Sequence, residues 1–426
     1  MKTSIAVCGK ANAGKTSFIT TLRHEYSGAI KDVHNTTTTV VDYSHNILEI
    51  ILSDFPGFEK MSGVEGYLNL EKEDPEYAFK YKNIILGDEF SRREYDLLTE
   101  IKKRDIVFIV CSIENSPDAS HETEIKLIQQ VNPNIIAIIS KTGNLEKKDR
   151  ISTWKILLER MGIEDVIEFD AHFTDDKNIV RLMDHCIKHI KNPEKLNCLE
   201  KSIKLFYDNF KNQYNEIQSS FVDLMIGIRR TNTYSRDEAG LDSYFKENIS
   251  SEINKGFQNY LQKITTSLGL DLEELKTLSK TINVNVSYEE KKYDKEGRNI
   301  GFWTGLVGGV ASFALGPIGW VGFFVGDIAG AIIGDKIGES MVKERKYTTT
   351  INDLELTNLA KYSILTYWMA SKIGYARQYG SEKGLKISIN EFREFLSRIA
   401  PIQNITNFDE SSLKKWFDGA IDKLEW

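Results

Sequence analysis

The residues best suited to chemistry lie near the start of the chain, in the run Gly9-Lys10-Ala11-Asn12-Ala13-Gly14-Lys15-Thr16-Ser17. The run has the spacing GxxxxGKS/T, in which two glycines let backbone N–H groups point at phosphate oxygens. Lys15 can reach the β- and γ-phosphates of a nucleotide, and the Thr16 hydroxyl can ligate Mg²⁺. The run therefore predicts a phosphate-binding loop made by Gly9, Asn12, Ala13, Gly14, Lys15, Thr16 and Ser17. A chance glycine turn before a helix is the alternative, and a second motif argues against it.

That second motif is Asp54-Phe55-Pro56-Gly57, which follows the apolar run from Ile47 to Ser53. An aspartate at the carboxyl end of a neighbouring strand can hold Mg²⁺ through a water, and the Gly57 N–H can bond the γ-phosphate. Four threonines at 36–39 lie between the two motifs, where a switch loop would place another Mg²⁺ ligand. We favour Thr38, with Thr37 close behind, and a threonine-rich strand is the other interpretation.

Strand-like and helical stretches alternate around these motifs, as in an α/β fold. The run Ile5–Cys8 precedes the phosphate loop, and a helix is predicted from Phe18 to Arg23. The run Ile47–Ser53 is strongly apolar, as expected for a strand buried on both faces. Further strands are predicted over 40–43, 105–112 and 134–140, and another begins at Val166. This order predicts a mostly parallel sheet flanked by helices.

These motifs resemble those of the translation-factor-related P-loop GTPases, in particular the Era-like and dynamin-like members, over roughly residues 1–192. The resemblance implies binding of GTP and GDP with Mg²⁺, and GTP hydrolysis in which Lys15, Thr38 and Gly57 take part. Ser140-Lys141-Thr142-Gly143 stands where the family has its guanine-reading motif, and Asp170-Ala171-His172 replaces its last base-contacting loop. The resemblance therefore assigns Lys141 and Ala171 to the base. Glycine at position 143 removes the usual acceptor for guanine, which leaves the base open, and Asp170 is either a substitute acceptor or a strand-end cap.

Asn12 stands where potassium-activated GTPases carry an asparagine that helps to hold K⁺ beside the β- and γ-phosphates. The resemblance thus implies K⁺ as a further cofactor, and an asparagine that satisfies its own turn is the alternative. Phe58 and Glu59 follow Gly57, so no glutamine is present to position water. We expect slow intrinsic hydrolysis that is assisted by K⁺, by a partner or by a homodimer formed through the nucleotide domains. The charged stretch 59–98 is interpreted as a switch region with a helix over Glu89–Lys103, or as a plain surface helix.

The second half of the chain is predicted to be helical. We expect a nucleotide domain over 1–192, a helical region over 193–297, an apolar hairpin over 298–345 and a second helical region over 346–426. Amphipathic patterns predict helices over 195–230, 236–268, 354–379 and 411–426. Strand-like runs at 283–288 and 346–351 could pair as an antiparallel ribbon.

The hairpin is the most unusual part of the sequence, because residues 301–338 are almost entirely apolar and rich in glycine. Each glycine inside a helix costs about 1 kcal/mol in water relative to alanine. A ladder of glycines every fourth residue from Gly322 to Gly338 must therefore be offset by close backbone packing, as between helices in membranes. Gly316-Pro317 supplies a turn, and each arm is too short to cross a hydrocarbon core of about 30 Å. The segment predicts an insertable hairpin that contacts membrane lipid, or else a hairpin buried in a helical core.

Composition narrows the partners and the location. The 426 residues carry a formal net charge of −7, so we expect no nucleic acid as a partner. The four cysteines form no CxxC pair and indicate neither a zinc site nor a disulfide framework. His185 and His189, at i and i+4, are a candidate metal pair or a solvated helix face. Because the N-terminus has no apolar secretory segment, we expect a cytoplasmic protein that binds peripherally to the inner membrane through 301–338.

The whole chain resembles a group of bacterial Era-like GTPases that have a C-terminal helical domain of unknown function. The shared residues are Trp154, Leu157, Leu158, Met161, Gly162, Val166, Glu168, Phe169 and Asp170. We therefore predict a guanine-nucleotide switch that controls a membrane-associating helical domain. The alternatives are a soluble GTPase in ribosome or protein-complex assembly, and a nucleotide-binding scaffold with altered base specificity.

Overall fold

The computed structural model describes residues 1–23, 39–58, 62–142, 147–171, 174–228, 232–234, 241–269, 347–349, 353–371, 397–399 and 409–424. Over these residues the chain forms two compact units, the first from Met1 to Phe210 and the second from Lys211 onwards. The first unit contains the phosphate loop and the Asp54 motif. Three of the predicted features lie outside the described residues: Thr38, the strand at 283–288 and the glycine-rich hairpin at 301–338.

The first unit is built on a six-stranded sheet with the strand order β2-β3-β1-β4-β5-β6. The strands are β1 (Thr3–Cys8), β2 (Val41–Ser44), β3 (Ile50–Asp54), β4 (Ile106–Ser112), β5 (Ile135–Ser140) and β6 (Val166–Phe169). All neighbouring pairs are parallel except β2 with β3. Every residue of β4 and β5 is buried, as expected for strands covered on both faces. The predicted mostly parallel α/β sheet is confirmed.

Both sequence motifs lie at the carboxyl ends of the strands. β1 lies between β3 and β4, with Val7 paired to Asp54 and Cys8 paired to Ile109. The chain order reverses on the two sides of β1, and open α/β sheets bind ligands at such a reversal. The register therefore places the loop after Cys8 beside Asp54.

Helices cover both faces of this sheet. One face is covered by α1 (Lys15–Arg23), α7 (Asp176–His189) and the first part of α8 (Pro193–Ile228). The other face is covered by α2 (Ser62–Glu73), α3 (Pro75–Ile85), α4 (Glu89–Lys102), α5 (Ala119–Val131) and α6 (Asp149–Arg160). Trp154 of α6 is fully buried, and its indole N–H donates to the carbonyl oxygens of Ser112 and Asn115. The hydrogen-bonded indole thus fastens α6 to the loop after β4.

The insertion after Gly57 is more ordered than its sequence predicts. The helix expected over Glu89–Lys103 is confirmed as α4, with Asp88 as the N-cap that accepts from the Ser91 N–H. Two further helices, α2 and α3, precede it, and Asp74 caps α3 in the same way. These helices form because Val64, Tyr67 and Ala78 are buried against the face of the sheet. Phe79 and Ile84 of α3 remain exposed.

The described part of the second unit is a helical bundle with one short ribbon. Its helices are the part of α8 after Lys211, α9 (Leu241–Leu268), α10 (Asp353–Ser371) and α11 (Glu410–Leu424). They confirm the predicted helical stretches as far as the described residues extend. Phe221, Tyr260 and Phe417 are buried, and the Tyr260 hydroxyl donates to the carbonyl oxygen of Ser363 over 2.9 Å. β7 (Asn232–Tyr234) pairs antiparallel with β8 (Tyr347–Thr349). The strand expected at 346–351 therefore exists over Tyr347–Thr349 and pairs with 232–234, whereas the predicted partner at 283–288 lies outside the described residues.

No helix among the described residues is long and apolar enough to cross a membrane.

All four cysteines lie in the described residues and are free thiols. Cys8, Cys111 and Cys186 are buried, and burial raises the pKa of each thiol. Cys198, on α8, is partly exposed, and its sulfur accepts a hydrogen bond of 3.4 Å from the Met1 amino group.

Candidate phosphate-binding site

The loop between β1 and α1 has a backbone that few residue types can adopt. Gly9 has φ of +139° and Gly14 has φ of +93°, values that strain residues with a side chain. A Cβ atom on Gly9 would lie 2.5 Å from the carbonyl oxygen of Val110 in β4, so the loop approaches the sheet closely there. Asn12 also adopts a positive φ of 63°. The Ala13 N–H donates to the Lys10 carbonyl oxygen over 3.2 Å, which closes the loop before α1 begins.

The Lys15 ammonium group is held inside this loop. Its Nζ donates to the carbonyl oxygens of Gly9 at 2.8 Å and of Lys10 at 3.0 Å, and the side chain is buried. Burial lowers the pKa of Lys15, and the negative charges of Asp54 and Glu124 oppose that shift. The lysine is therefore a fixed cation at the start of α1, where the positive end of the helix also attracts anions.

Thr16 and Asp54 meet beside the lysine. The Thr16 hydroxyl donates to Asp54 Oδ2 over 3.0 Å, and Asp54 is buried at the end of β3 whereas Thr16 is exposed. Hydroxyl and carboxylate oxygens are the ligands that Mg²⁺ prefers in proteins. Two of the three predicted Mg²⁺ ligands are thus brought together, and the third, Thr38, lies outside the described residues.

The segment after Asp54 lies against the phosphate loop. The Phe55 N–H donates to the Val7 carbonyl oxygen, which extends the contact between β3 and β1. A Cβ atom on Gly57 would lie 2.8 Å from the backbone nitrogen of Ala11. Position 57 therefore requires glycine, because the backbone approaches Ala11 closely, and it is a second contact between the two motifs.

The residues assigned to the base follow β5 and β6 and contact the loop and α1. Lys141 Nζ donates to the Asn12 carbonyl oxygen over 3.0 Å, and the Ser140 hydroxyl donates to the Ala13 carbonyl oxygen over 2.8 Å. The Ala171 carbonyl oxygen accepts from the Thr21 hydroxyl of α1 over 2.8 Å. Lys141 and Ala171 are thus tied to the loop and to the helix after it, and Gly143 lies outside the described residues.

Sequence reasoning missed an ion pair between the loop and a buried acid on α5. Lys10 Nζ lies 3.4 Å from a carboxylate oxygen of Glu124 on α5, and Glu124 is fully buried. Burial raises the pKa of Glu124 to about 7, although Lys10 and Lys15 both lower it. A signal was present in the sequence, because Glu124 shares the apolar stripe of α5 with Leu127 and Ile128. An acid on such a stripe indicates a buried carboxylate with a partner.

The two histidines considered as a metal pair bind an aspartate instead. His185 Nδ1 lies 2.7 Å from Asp165 Oδ1, and His189 Nε2 lies 2.6 Å from Asp165 Oδ2. Across the described residues, no group of three or more His, Cys, Asp or Glu side chains could hold a metal ion. These histidines therefore fasten α7 to the start of β6.

One part of the chain matches a known protein family. Residues 4–141, about a third of the chain, match the family described as "50S ribosome-binding GTPase". No curated protein matches the sequence.

Several solved structures are similar over part of the chain. One is Era in complex with MgGDPNP and a segment of 16S ribosomal RNA, with 17% identity and a TM-score of 0.34; the match covers 45% of this chain and 58% of that one. The chain thus spans less than two thirds of that protein. A second is an Aquifex aeolicus Era variant bound to GDP and AlF4⁻, with 13% identity, a TM-score of 0.34 and coverage of 62% and 90%. A third is the G domain of the T. maritima FeoB iron transporter, with 18% identity, a TM-score of 0.25 and coverage of 49% and 99%.

Proposed function

Because residues 4–141 are a P-loop GTPase domain, we propose that the whole chain is a switch that binds GTP with Mg²⁺ and hydrolyses it slowly. One observation supports this function most directly. A buried lysine held by two loop carbonyl oxygens, and a threonine hydroxyl bonded to a buried aspartate, converge on one glycine-rich loop. This arrangement offers fixed positive charge and Mg²⁺ ligands where charge develops during phosphoryl transfer.

Each residue of the loop has a role in this proposal. The backbone N–H groups of the loop, from Gly9 through Asn12, Ala13 and Gly14 to Ser17, bind phosphate oxygens, and Lys15 neutralises the β- and γ-phosphates. Thr16 ligates Mg²⁺ and Asp54 holds it through water. Thr38 is the third Mg²⁺ ligand, and the Gly57 N–H bonds the γ-phosphate. Bound Mg²⁺ would neutralise charge between the β- and γ-phosphates.

The base and the auxiliary cation form the second part of the proposal. Lys141, held 3.0 Å from the Asn12 carbonyl oxygen, lies along the base, and the backbone of Ala171 closes the base site. We propose guanine as the base, K⁺ near Asn12 as an accelerating ion, and a homodimer through the nucleotide domains as the active assembly. Competition between GTP and ATP tests the choice of guanine, and GTP hydrolysis measured in K⁺ and in Na⁺ buffers tests the role of K⁺. Hydrolysis measured at increasing protein concentration tests the homodimer.

The phosphate site is tested with the full chain and one substitution. Lys15→Ala should abolish GTP hydrolysis and weaken GDP binding strongly, because the buried cation that faces the phosphates is lost. Lys126→Ala is the matched control, since Lys126 is an exposed lysine on α5. Lys15→Ala protein that hydrolyses GTP at the wild-type rate would contradict the assignment.

Two effectors are proposed for the switch. The first is membrane lipid, contacted by the glycine-rich segment 301–338, and it rests on the sequence of that segment. The second is the ribosome, and it rests on the family description of residues 4–141. That description does not support the expectation that the chain has no nucleic acid partner. Cosedimentation with vesicles of anionic lipid and with ribosomal subunits, each with GDP and with a non-hydrolysable GTP analogue, separates the two.

A further inference from the structure

The ion pair between Lys10 and Glu124 occupies an unusual place, because it connects the phosphate loop to a helix that carries none of the predicted site residues. Glu124 is 2% exposed and lies on the face of α5 that packs into the core. Its carboxylate oxygen Oε2 is 3.4 Å from Lys10 Nζ. A buried carboxylate is costly unless it is paired, so this pair constrains both of its partners.

Lys10 is the residue through which such a constraint reaches the phosphates. Its carbonyl oxygen accepts from Lys15 Nζ at 3.0 Å and from the Ala13 N–H at 3.2 Å. Its carbonyl carbon and the next backbone nitrogen, of Ala11, form the surface that Gly57 approaches. The backbone of Lys10 therefore positions the catalytic lysine and borders the second motif. Its side chain is fixed by Glu124.

Other charged groups among the described residues also act on Glu124. Lys15 attracts Glu124, whereas Glu94 of α4 repels it. The buried thiols of Cys8 and Cys111 also lie within its electrostatic reach, and Asp54 faces Lys15. Glu94 is itself buried, on an apolar stripe with Leu97 and Leu98. Glu124 thus lies close to a second acid, and Lys10 and Lys15 both favour its ionised form.

We propose that Glu124 is a positioning residue for nucleotide binding, which holds the Lys10 backbone, and with it Lys15, in the conformation that receives the phosphates. This inference rests on the proposed function, since it concerns the same site. This role requires no contact between Glu124 and nucleotide or Mg²⁺. Glu124 acts through Lys10.

The test is a double-substitution cycle in the full chain, with the affinity for GDP as the readout. Glu124→Gln and Lys10→Met should each weaken GDP binding about tenfold, as expected for the loss of a charge-assisted buried hydrogen bond. The double variant should be no weaker than either single variant, because both changes break one connection. Glu122→Gln is the matched control, since Glu122 lies on the same helix and pairs with Arg160 at an exposed site. It should bind GDP like the wild type.

The direction in which Glu124→Gln changes the affinity for GDP distinguishes a positioning role from a purely electrostatic effect of the carboxylate. Removing a negative charge near the phosphates should tighten GDP binding if Glu124 acts only through its field. Wild-type or tighter binding by Glu124→Gln, or additive losses in the double variant, would therefore overturn the proposal. If Glu124→Gln does not fold, as judged by its thermal unfolding, a Lys10→Met variant that folds and keeps wild-type affinity overturns it as well. Wild-type protein that binds no GDP would instead overturn the proposed function.

Discussion

Substitution of Gly9 by alanine tests the geometry of the phosphate loop most sharply. The added Cβ would lie 2.5 Å from the Val110 carbonyl oxygen and 3.4 Å from its carbonyl carbon. Val110 belongs to β4, which is hydrogen-bonded on both sides and cannot move away. The positive φ of +139° adds backbone strain of about 1–3 kcal/mol, and the steric overlap adds about 1–3 kcal/mol more. We expect Gly9→Ala to lower the free energy of unfolding by both amounts and to displace the loop.

Comparison of Gly9→Ala with Gly162→Ala isolates the steric part of this destabilisation. Gly162 follows α6 with φ of +76°, and a Cβ there would meet no atom within 4 Å. The Gly162→Ala variant should therefore lose stability through backbone strain alone. Gly9→Ala should be less stable than Gly162→Ala by about 1–3 kcal/mol. Urea unfolding followed by circular dichroism gives the stabilities, and GDP titration reports the loop. Equal unfolding midpoints for the two variants, together with wild-type GDP affinity for Gly9→Ala, would refute the reasoning.

Three further predictions follow from the same structure. Gly57→Ala should slow GTP hydrolysis about tenfold and change GDP affinity little, because a Cβ 2.8 Å from the Ala11 nitrogen must move the γ-phosphate side of the site. Phosphate release measures the hydrolysis rate, and GDP titration measures the affinity. Burial raises the pKa of Glu124 from 4.5 to about 7, so the folded state favours the protonated form. The wild type should therefore lose up to about 3 kcal/mol of unfolding free energy relative to Glu124→Gln as pH rises from about 5 to about 8, and a pH-independent difference in urea unfolding would contradict this. Trp154→Phe leaves two carbonyl oxygens without the indole donor and should lower the free energy of unfolding by about 1–3 kcal/mol. Its control is Ile156→Ala, at an exposed position of the same helix, which should change the unfolding temperature little.

The sequence was sufficient to predict the sheet and the phosphate loop. Strands such as Ile135–Ser140 are apolar at nearly every position, because both faces of a parallel sheet are covered. The loop is predictable because phosphate binding demands glycine, lysine and a hydroxyl at fixed spacing. The geometry of Lys15, Thr16 and Asp54 follows from that spacing and from the pairing of β1 with β3.

Tertiary contacts explain what the sequence did not predict. The apolar residues of α2 and α3 are separated by many charges, and these helices become stable only where Val64 and Tyr67 reach the core of the sheet. The pairing of Tyr347–Thr349 with 232–234 joins segments that are distant along the chain, which no local pattern encodes. The Lys10–Glu124 pair has the same origin, since only the packing of α5 brings the carboxylate under the loop.

The distribution of the thiols has a practical consequence for handling this protein. The thiolate is the form that reacts with electrophiles and oxidants, and burial suppresses it at Cys8, Cys111 and Cys186. Cys8 immediately precedes Gly9, so the phosphate loop is shielded from alkylation and from peroxide while the first unit stays folded. Cys198 is the partly exposed thiol on α8. A maleimide dye should therefore label the native protein at that one position, which provides a single-site fluorescent reporter without any engineered cysteine.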